Sequence, residues 1–115
     1  MFRSTTSRMY RRVPTDYPAC YLQNQSFRQG TVRDLSLNGF RVEGQPGVRC
    51  HDMVMLRVWL PGGHGSIDID QAVVRWVKDL EFGVQIIALS NESDLRLALH
   101  VERELERTAL HRLAG

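Results

Sequence analysis

Lysine, cysteine and long apolar runs are scarce in this sequence. Of the 15 basic residues among 115, 14 are arginine and only Lys78 is lysine. No stretch reaches the 18 apolar residues of a membrane span, so we expect no spanning helix. The charged N-terminus precedes no apolar segment, so we expect no secretory signal and a cytoplasmic location. Cys20 and Cys50 have no cysteine or spaced histidine pair beside them, which favours reduced thiols over a disulfide or zinc site.

Enzyme signatures are also missing. The sequence has no nucleophile, base and orienter at a recognisable spacing, and no phosphate-cradling glycine loop followed by lysine. The glycine-rich stretch 62–65 lies between two predicted strands and is interpreted as a hairpin loop. The four histidines are scattered and are interpreted as incidental: His51, His64, His100 and His111. We therefore expect no catalytic residue, no metal ion and no cofactor.

The size and composition fit one domain with its own core, since 43% of the residues are hydrophobic and 24% charged. A net charge of +2 and an aromatic content of 8% argue against a barrel that binds single-stranded nucleic acid, which would use a basic groove and stacking aromatics. Trp59 and Trp76 are interpreted as packing residues. Nucleic-acid binding remains the least favoured alternative.

Short strands separated by turns dominate residues 17–89, which predicts an all-β body. Alternation is clearest where Val54, Leu56 and Val58 share one face, and it recurs at Phe82, Val84 and Ile86. Six strands suit a small antiparallel barrel. The predicted strands are Tyr17–Gln23, Gly30–Leu35, Gly39–Glu43, Met53–Leu60, Ile67–Val77 and Glu81–Ala88.

The last part of the sequence changes to a helical pattern over about residues 91–113, with Asn91 or Ser93 as the predicted cap. Leu97, Val101 and Leu105 form one apolar stripe, which we expect to dock on the barrel. Other leucines fall off this stripe and could contact a second subunit or another protein: Leu95, Leu99, Leu110 and Leu113. A monomer or a weak homodimer is expected.

The first 16 residues form the densest basic segment, with four arginines and no acid before Asp16: Arg3, Arg8, Arg11 and Arg12. Such a segment indicates a phosphate-bearing partner. Serine and threonine are weak helix formers and Pro14 favours extended backbone, so we expect a flexible arm over 1–16 and a folded domain over 17–115. Taken alone, a basic N-terminus favours a disordered, solubilising tail.

A second polar segment, Asp34-Leu-Ser-Leu-Asn-Gly39, falls between two predicted strands. Asp34 and Ser36 project from the same face of an extended chain. A carboxylate can accept two N–H groups from one edge of a guanine, and a hydroxyl can donate or accept. Gly39 permits positive φ and leaves the backbone open to close approach. Taken alone, the segment is also an ordinary hairpin turn.

Together, Arg8-Met-Tyr-Arg-Arg12 and Asp34-Leu-Ser-Leu-Asn-Gly39 resemble the RxxxR and (D/N)xSxxG motifs of PilZ domains. The resemblance covers nearly the whole chain and extends to Val73–Trp76 and Leu80–Val84, which resemble the late strand pair of that family. It implies a six-stranded barrel that binds the second messenger cyclic di-GMP and switches a partner protein.

The resemblance also implies the site residues. Arg8 and Arg12 would bind phosphate and guanine, Asp34 would accept from a guanine edge, Ser36 would hydrogen-bond the ligand, and Gly39 would keep the surface open. Three neighbours could assist: Ser7, Arg11 and Asn38. Ser7 precedes RxxxR in place of an arginine, which favours one ligand molecule. We expect the ligand to order the arm; a ligand-independent adaptor for motility or pilus machinery is the alternative.

Overall fold

The computed structural model describes residues 11–44 and 47–114. Six antiparallel strands close into a barrel in the order β1-β2-β3-β6-β5-β4, and one helix follows. The predicted all-β fold, a six-stranded antiparallel barrel with a C-terminal helix, is confirmed. The elements are β1 (Val13–Gln23), β2 (Ser26–Leu35), β3 (Gly39–Gly44), β4 (Met53–Trp59), β5 (Ser66–Lys78), β6 (Glu81–Ala88) and α1 (Asn91–Ala114).

The barrel interior is filled by the apolar side chains that alternate along each strand. The predicted inward face of β4, with Val54, Leu56 and Val58, is buried, as are Phe82, Val84 and Ile86 on β6. Tyr21 on β1 contacts Phe82 edge to face, with ring centroids 5.1 Å apart. Removing this surface from water supplies most of the favourable free energy of folding.

The first strand begins at Val13, four residues before the predicted start at Tyr17, so residues 13–16 belong to the barrel. Val13 is buried opposite Leu35, and the Thr15 hydroxyl donates to the Val32 carbonyl at 2.6 Å. Pro14, predicted to lie in the arm, is part of β1. Proline is compatible with a strand where no partner needs its N–H, and β1 pairs with β4 only over Ala19–Leu22.

The helix begins at Asn91, and its N-terminal cap is Ser90, not the predicted Asn91 or Ser93. The Ser90 Oγ accepts from the Ser93 backbone N–H at 3.1 Å, which satisfies a free N–H of the first turn. Leu97 and Val101 are buried against the barrel as predicted, and Leu105 packs at the edge of the core. Along the described part of the chain no helix is long and apolar enough to cross a membrane.

One other expectation about a side chain was wrong. His100, interpreted as incidental, is buried on α1, and its Nε2 lies 2.7 Å from the Tyr17 hydroxyl on β1. Trp59 and Trp76, interpreted as packing residues, are partly exposed at 41% and 39%, and the Trp76 indole packs over Gly83. Cys20 and Cys50 are free thiols, as expected.

Candidate functional site

Asp34 lies near the end of β2 and holds two arginines. A register shift between Val32 and Asp34 interrupts the pairing with β3, and the Asp34 side chain is 16% exposed. Its Oδ1 accepts from Arg12 Nη1 at 2.5 Å and its Oδ2 accepts from Arg41 Nε at 2.8 Å. Both carboxylate oxygens are therefore engaged by guanidinium groups, and charge-assisted bonds of this kind are among the stronger ones in proteins.

Arg41, which lies outside both sequence motifs, bridges two carboxylates. Besides Asp34 it donates from Nη1 to Glu81 Oε2 at 2.6 Å. The hydrogen bond to Asp34 is the main cause that raises the pKa of Arg41, with burial opposing it and Glu81 adding to it. Arg41 pairs directly with Asp34 across β2 and β3. Counting outward from the Ser36–Gly39 turn to find cross-strand neighbours would have identified it.

Ser36 is fully buried, and its hydroxyl is used within the turn. The Oγ lies 2.6 Å from Asn38 Oδ1 and 3.3 Å from the Gly39 carbonyl, and it accepts from the Asn38 backbone N–H at 3.3 Å. The Ser36 backbone N–H donates to the same carbonyl at 2.9 Å. In this structure Ser36 and Asn38 therefore lock the turn between Asp34 and β3, an arrangement typical of serine and asparagine in tight turns.

Gly39 is glycine for a different reason from the one expected. Its φ is not in the left-handed region, and it lies in β3 against β6 and not at an open surface. A Cβ at this position would lie 2.3 Å from the backbone carbonyl oxygen of Val84. Only glycine allows the two strands to approach this closely. Gly39 therefore sets the position of the strand that carries Arg41.

A row of outward positions crosses four strands at this end of the barrel. Asp34 pairs with Arg41, Arg41 with Gly83, and Gly83 with Trp76. The Trp76 indole covers Gly83, where an added Cβ would lie 2.1 Å from the indole Nε1. The row combines a carboxylate, guanidinium forks and an exposed aromatic ring. These groups can bind N–H edges, phosphates and planar rings, respectively.

The remaining predicted site residues divide into two groups. Arg12 lies at the site and is about half exposed. Arg11 is exposed, and its side chain makes no hydrogen bond or ion pair with the part of the chain that the structure describes. Arg8 and Ser7, together with the rest of the predicted arm up to residue 10, lie outside the described residues.

A neighbouring arginine is held away from Asp34. Arg33 donates from Nε and Nη2 to the Glu43 carboxylate at 3.2 and 3.1 Å, and from Nη1 to Asp16 at 2.8 Å. These bonds raise the pKa of Arg33, the hydrogen bond to Glu43 being the largest cause, and they lower the pKa of Glu43. Arg33 is thereby satisfied by its own partners, which leaves Arg12 and Arg41 as the described arginines on Asp34.

Solved structures of low sequence identity share this fold. The inhibitor of motility MotI/DgrA of Bacillus subtilis matches with a TM-score of 0.70 and 15% identity over 84% of this chain and 50% of its own. The PilZ domain of CeSA from a cellulose-synthesising bacterium matches with a TM-score of 0.65 and 16% identity, over 79% of this chain and 94% of its own. MrkH of K. pneumonia in its apo state matches with a TM-score of 0.72 and 13% identity, over 96% of this chain and 56% of its own.

The chain thus spans about half of MotI/DgrA and of MrkH, and nearly all of the CeSA domain. Comparison with curated proteins gave no match. A family model for the PilZ domain matches residues 6–103, a range that includes both sequence motifs and every strand of the barrel. The chain belongs to the PilZ domain family.

Proposed function

We propose that this protein binds cyclic di-GMP on the row from Asp34 through Arg41 to Trp76 together with Arg12 beside it, as a receptor and not as an enzyme. The observation that carries the proposal is the contact between Arg12 Nη1 and Asp34 Oδ1 at 2.5 Å. It joins the second arginine of RxxxR to the aspartate of DxSxxG, although 22 residues separate them in the sequence. Family membership supports the same ligand.

The chemistry of the ligand matches the chemistry of the row. Cyclic di-GMP carries two phosphates and two guanines. Guanidinium forks suit phosphates and the O6/N7 edge of guanine, and a carboxylate suits the guanine N1–H and N2–H groups. Arg12 and Arg41 supply the forks among the described residues, Arg8 is proposed as a third, and Asp34 supplies the carboxylate.

We propose that binding exchanges a partner at Asp34. Both of its oxygens accept from arginine, and a guanine edge would replace one of the two guanidinium groups. Arg12 is the more exposed of the two and has no second carboxylate among the described residues, whereas Arg41 also holds Glu81. We therefore propose that Arg12 turns from Asp34 to a ligand phosphate while Arg41 stays.

Ser36 and Gly39 act on the site through backbone position. Ser36 is buried and Gly39 lies against β6, so we propose that both fix the distance between Asp34 and Arg41. Asn38 shares the turn with Ser36. Ser7 and Arg11 flank the motif arginines and are proposed as peripheral.

We propose that the ligand also draws residues 1–10 against the barrel, so that the surface offered to a downstream protein in the cytoplasm changes. A ligand shifts such an equilibrium only by its differential affinity for the two states. We propose that contacts of Arg8 and Arg12 with the ligand provide that difference in affinity.

Isothermal titration of the full chain with cyclic di-GMP, with GTP as the control ligand, tests the proposal. Each charged hydrogen bond that is lost costs about 1.5–3 kcal/mol, so Arg8→Ala, Arg12→Ala and Asp34→Ala should each weaken binding about tenfold or more. Arg57→Ala is the matched control, because Arg57 is also half exposed and holds an aspartate, Asp68, at 2.7 Å on another part of the barrel.

Binding of cyclic di-GMP by the parent chain, together with loss in the three site variants and not in Arg57→Ala, supports the proposal. No heat of binding with the parent chain, or equal affinity in the three site variants, contradicts it and favours an adaptor that acts without ligand.

A further inference from the structure

An apolar patch lies on the outer wall of the barrel, at the opposite end of β1 and β2 from Asp34. Leu22 on β1 pairs with Phe27 on one side and with Met55 of β4 on the other, so three outward side chains form a row. They are 38%, 65% and 51% exposed. Large neighbouring apolar side chains in this arrangement are typical of an interaction surface, and methionine adapts easily to a partner.

Two clefts flank this row and end on the same carboxylate. One, of about 210 Å³, is lined by Phe27, Leu22 and Met55 together with Arg57 and Asp68, which are paired with each other. The other, of about 300 Å³, is lined by Leu22, Met55 and Met53, and Asp70 lines both. Asp70 is exposed, and its carboxylate has no hydrogen bond or ion pair with residues of the described ranges. The row and this carboxylate, named here the outer-wall patch, therefore call for apolar side chains next to a cation.

The exposed face of α1 carries that combination. Leu95 and Leu99 are 61% and 51% exposed, and Arg103 is exposed without a hydrogen bond or ion pair inside the described part of the chain. Spacings of four residues place the three on one side of a helix, with about 6 Å of rise between neighbours. Leu97 and Val101, which face the core, lie on the opposite side.

The helix cannot present this face to the patch of its own chain. The burial of Leu97 and Val101 directs Leu95 and Leu99 away from the barrel, and Arg96 ties the first turns of α1 to the start of β5 by donating to the Ser66 carbonyl at 2.9 Å. A closed barrel also offers no free strand edge at which another chain could pair. Within the described ranges α1 therefore cannot cover the patch of its own chain, and an α1 that does so belongs to another molecule.

We infer that the outer-wall patch receives α1 of a second copy of this chain, with Leu95 and Leu99 in the clefts beside the Leu22–Met55 row and Arg103 on Asp70. Each copy carries both surfaces. A reciprocal pair therefore contains the contact twice and closes as a dimer, whereas a one-sided contact would add further copies. The inference does not depend on nucleotide binding, because the patch and the site lie at opposite ends of β1 and β2.

Sedimentation equilibrium of the full chain without nucleotide, from low micromolar to submillimolar concentration, tests this inference. The average mass should rise from 13.2 kDa toward twice that value. Leu99→Gln should raise the dimer dissociation constant about tenfold or more, because a buried leucine is lost from the contact. Ile87→Gln is the matched control: Ile87 is 48% exposed on β6, across the barrel from β1, and its replacement should leave the dissociation constant unchanged.

A charge exchange makes the test specific. Asp70→Arg and Arg103→Asp should each weaken association by about twofold to fivefold, as for other exposed ion pairs, and the double variant should recover parental affinity. Circular dichroism of each variant confirms the fold. A parent chain that stays at 13.2 kDa throughout overturns the inference, as do variants with unchanged association or a double variant without recovery. If the chain associates through another part of its surface, the variants will associate as the parent does.

Discussion

The Tyr17 hydroxyl on β1 lies 2.7 Å from His100 Nε2 on α1, and this contact joins the first strand to the middle of the helix. The two rings meet edge to face with centroids 5.4 Å apart. His100 is 3% exposed, and its Nδ1 is buried without a hydrogen-bond partner among the described residues. Burial is the main cause that lowers the pKa of His100, and it also raises the pKa of Tyr17. The neutral imidazole is thus the form that the fold accommodates.

The lowered pKa of His100 predicts that the protein loses stability on mild acidification. In the unfolded chain the imidazole titrates near 6.5, and in the folded protein it titrates below that value. The unfolded state therefore binds more protons than the folded state just below pH 6.5. The contribution of His100 to the free energy of unfolding is complete above that pH and is lost as the pH drops through the folded pKa. The other groups that act on this pKa are Glu104, which raises it, and Arg103, His64 and Arg107, which lower it.

Urea unfolding at a series of pH values around 6.5 checks this prediction. His100→Gln should flatten the pH dependence below pH 6.5, because the titrating group is removed. Tyr17→Phe is the control: it removes a hydroxyl and about 1 kcal/mol of stability but keeps the imidazole, so the dependence should persist. An equal slope in His100→Gln and the parent would contradict the assignment.

Gly39→Ala should destabilise the barrel even in the absence of ligand. The added Cβ would lie 2.3 Å from the Val84 carbonyl oxygen, and relief requires that β3 and β6 separate. Overpacking of this kind costs about 1–3 kcal/mol in the free energy of unfolding. Gly63→Asn is the control, since no described residue lies within 4 Å of an added Cβ there and asparagine tolerates its φ of +75°. Parental stability of Gly39→Ala would show that the residue serves only ligand access.

The sequence predicted those parts of the molecule that depend on local pattern. Alternation along β4 and β6 identified inward residues such as Val58 and Val84, because strand periodicity is local. Arg41 was missed because its significance depends on lying opposite Asp34 in a neighbouring strand. His100 was missed for the same reason, since its partner Tyr17 is 83 residues away in the sequence. Cross-strand and helix-to-strand contacts follow from register and docking, which no short window of sequence contains.

Arg41→Ala should weaken cyclic di-GMP binding about tenfold, provided that Arg41 both orients Asp34 and supplies a cation to the ligand. Arg41→Lys should bind with intermediate affinity, because lysine keeps the charge but cannot hold Asp34 and Glu81 through a planar fork. Titration calorimetry measures both, with Arg57→Ala as the reference for loss of an exposed ion pair. If Arg41→Ala binds more tightly than the parent, Arg41 competes with the ligand for Asp34 instead.

Trp76 should report binding through its fluorescence. Its indole covers Gly83 beside Arg41, in the same row as Asp34, and 39% of the residue is exposed, so a guanine bound to Asp34 and Arg41 would lie close to the ring. The other tryptophan, Trp59, is at the end of β4, on the far side of β5 from β6. In a Trp59→Phe background, cyclic di-GMP should quench or shift the remaining emission, because stacking changes the surroundings of the indole. The same titration of Trp76→Phe should leave the Trp59 emission unchanged. A change in the Trp59 emission of Trp76→Phe, or an affinity for cyclic di-GMP that Trp76→Ala leaves unaffected, would place the guanine away from the Trp76 ring.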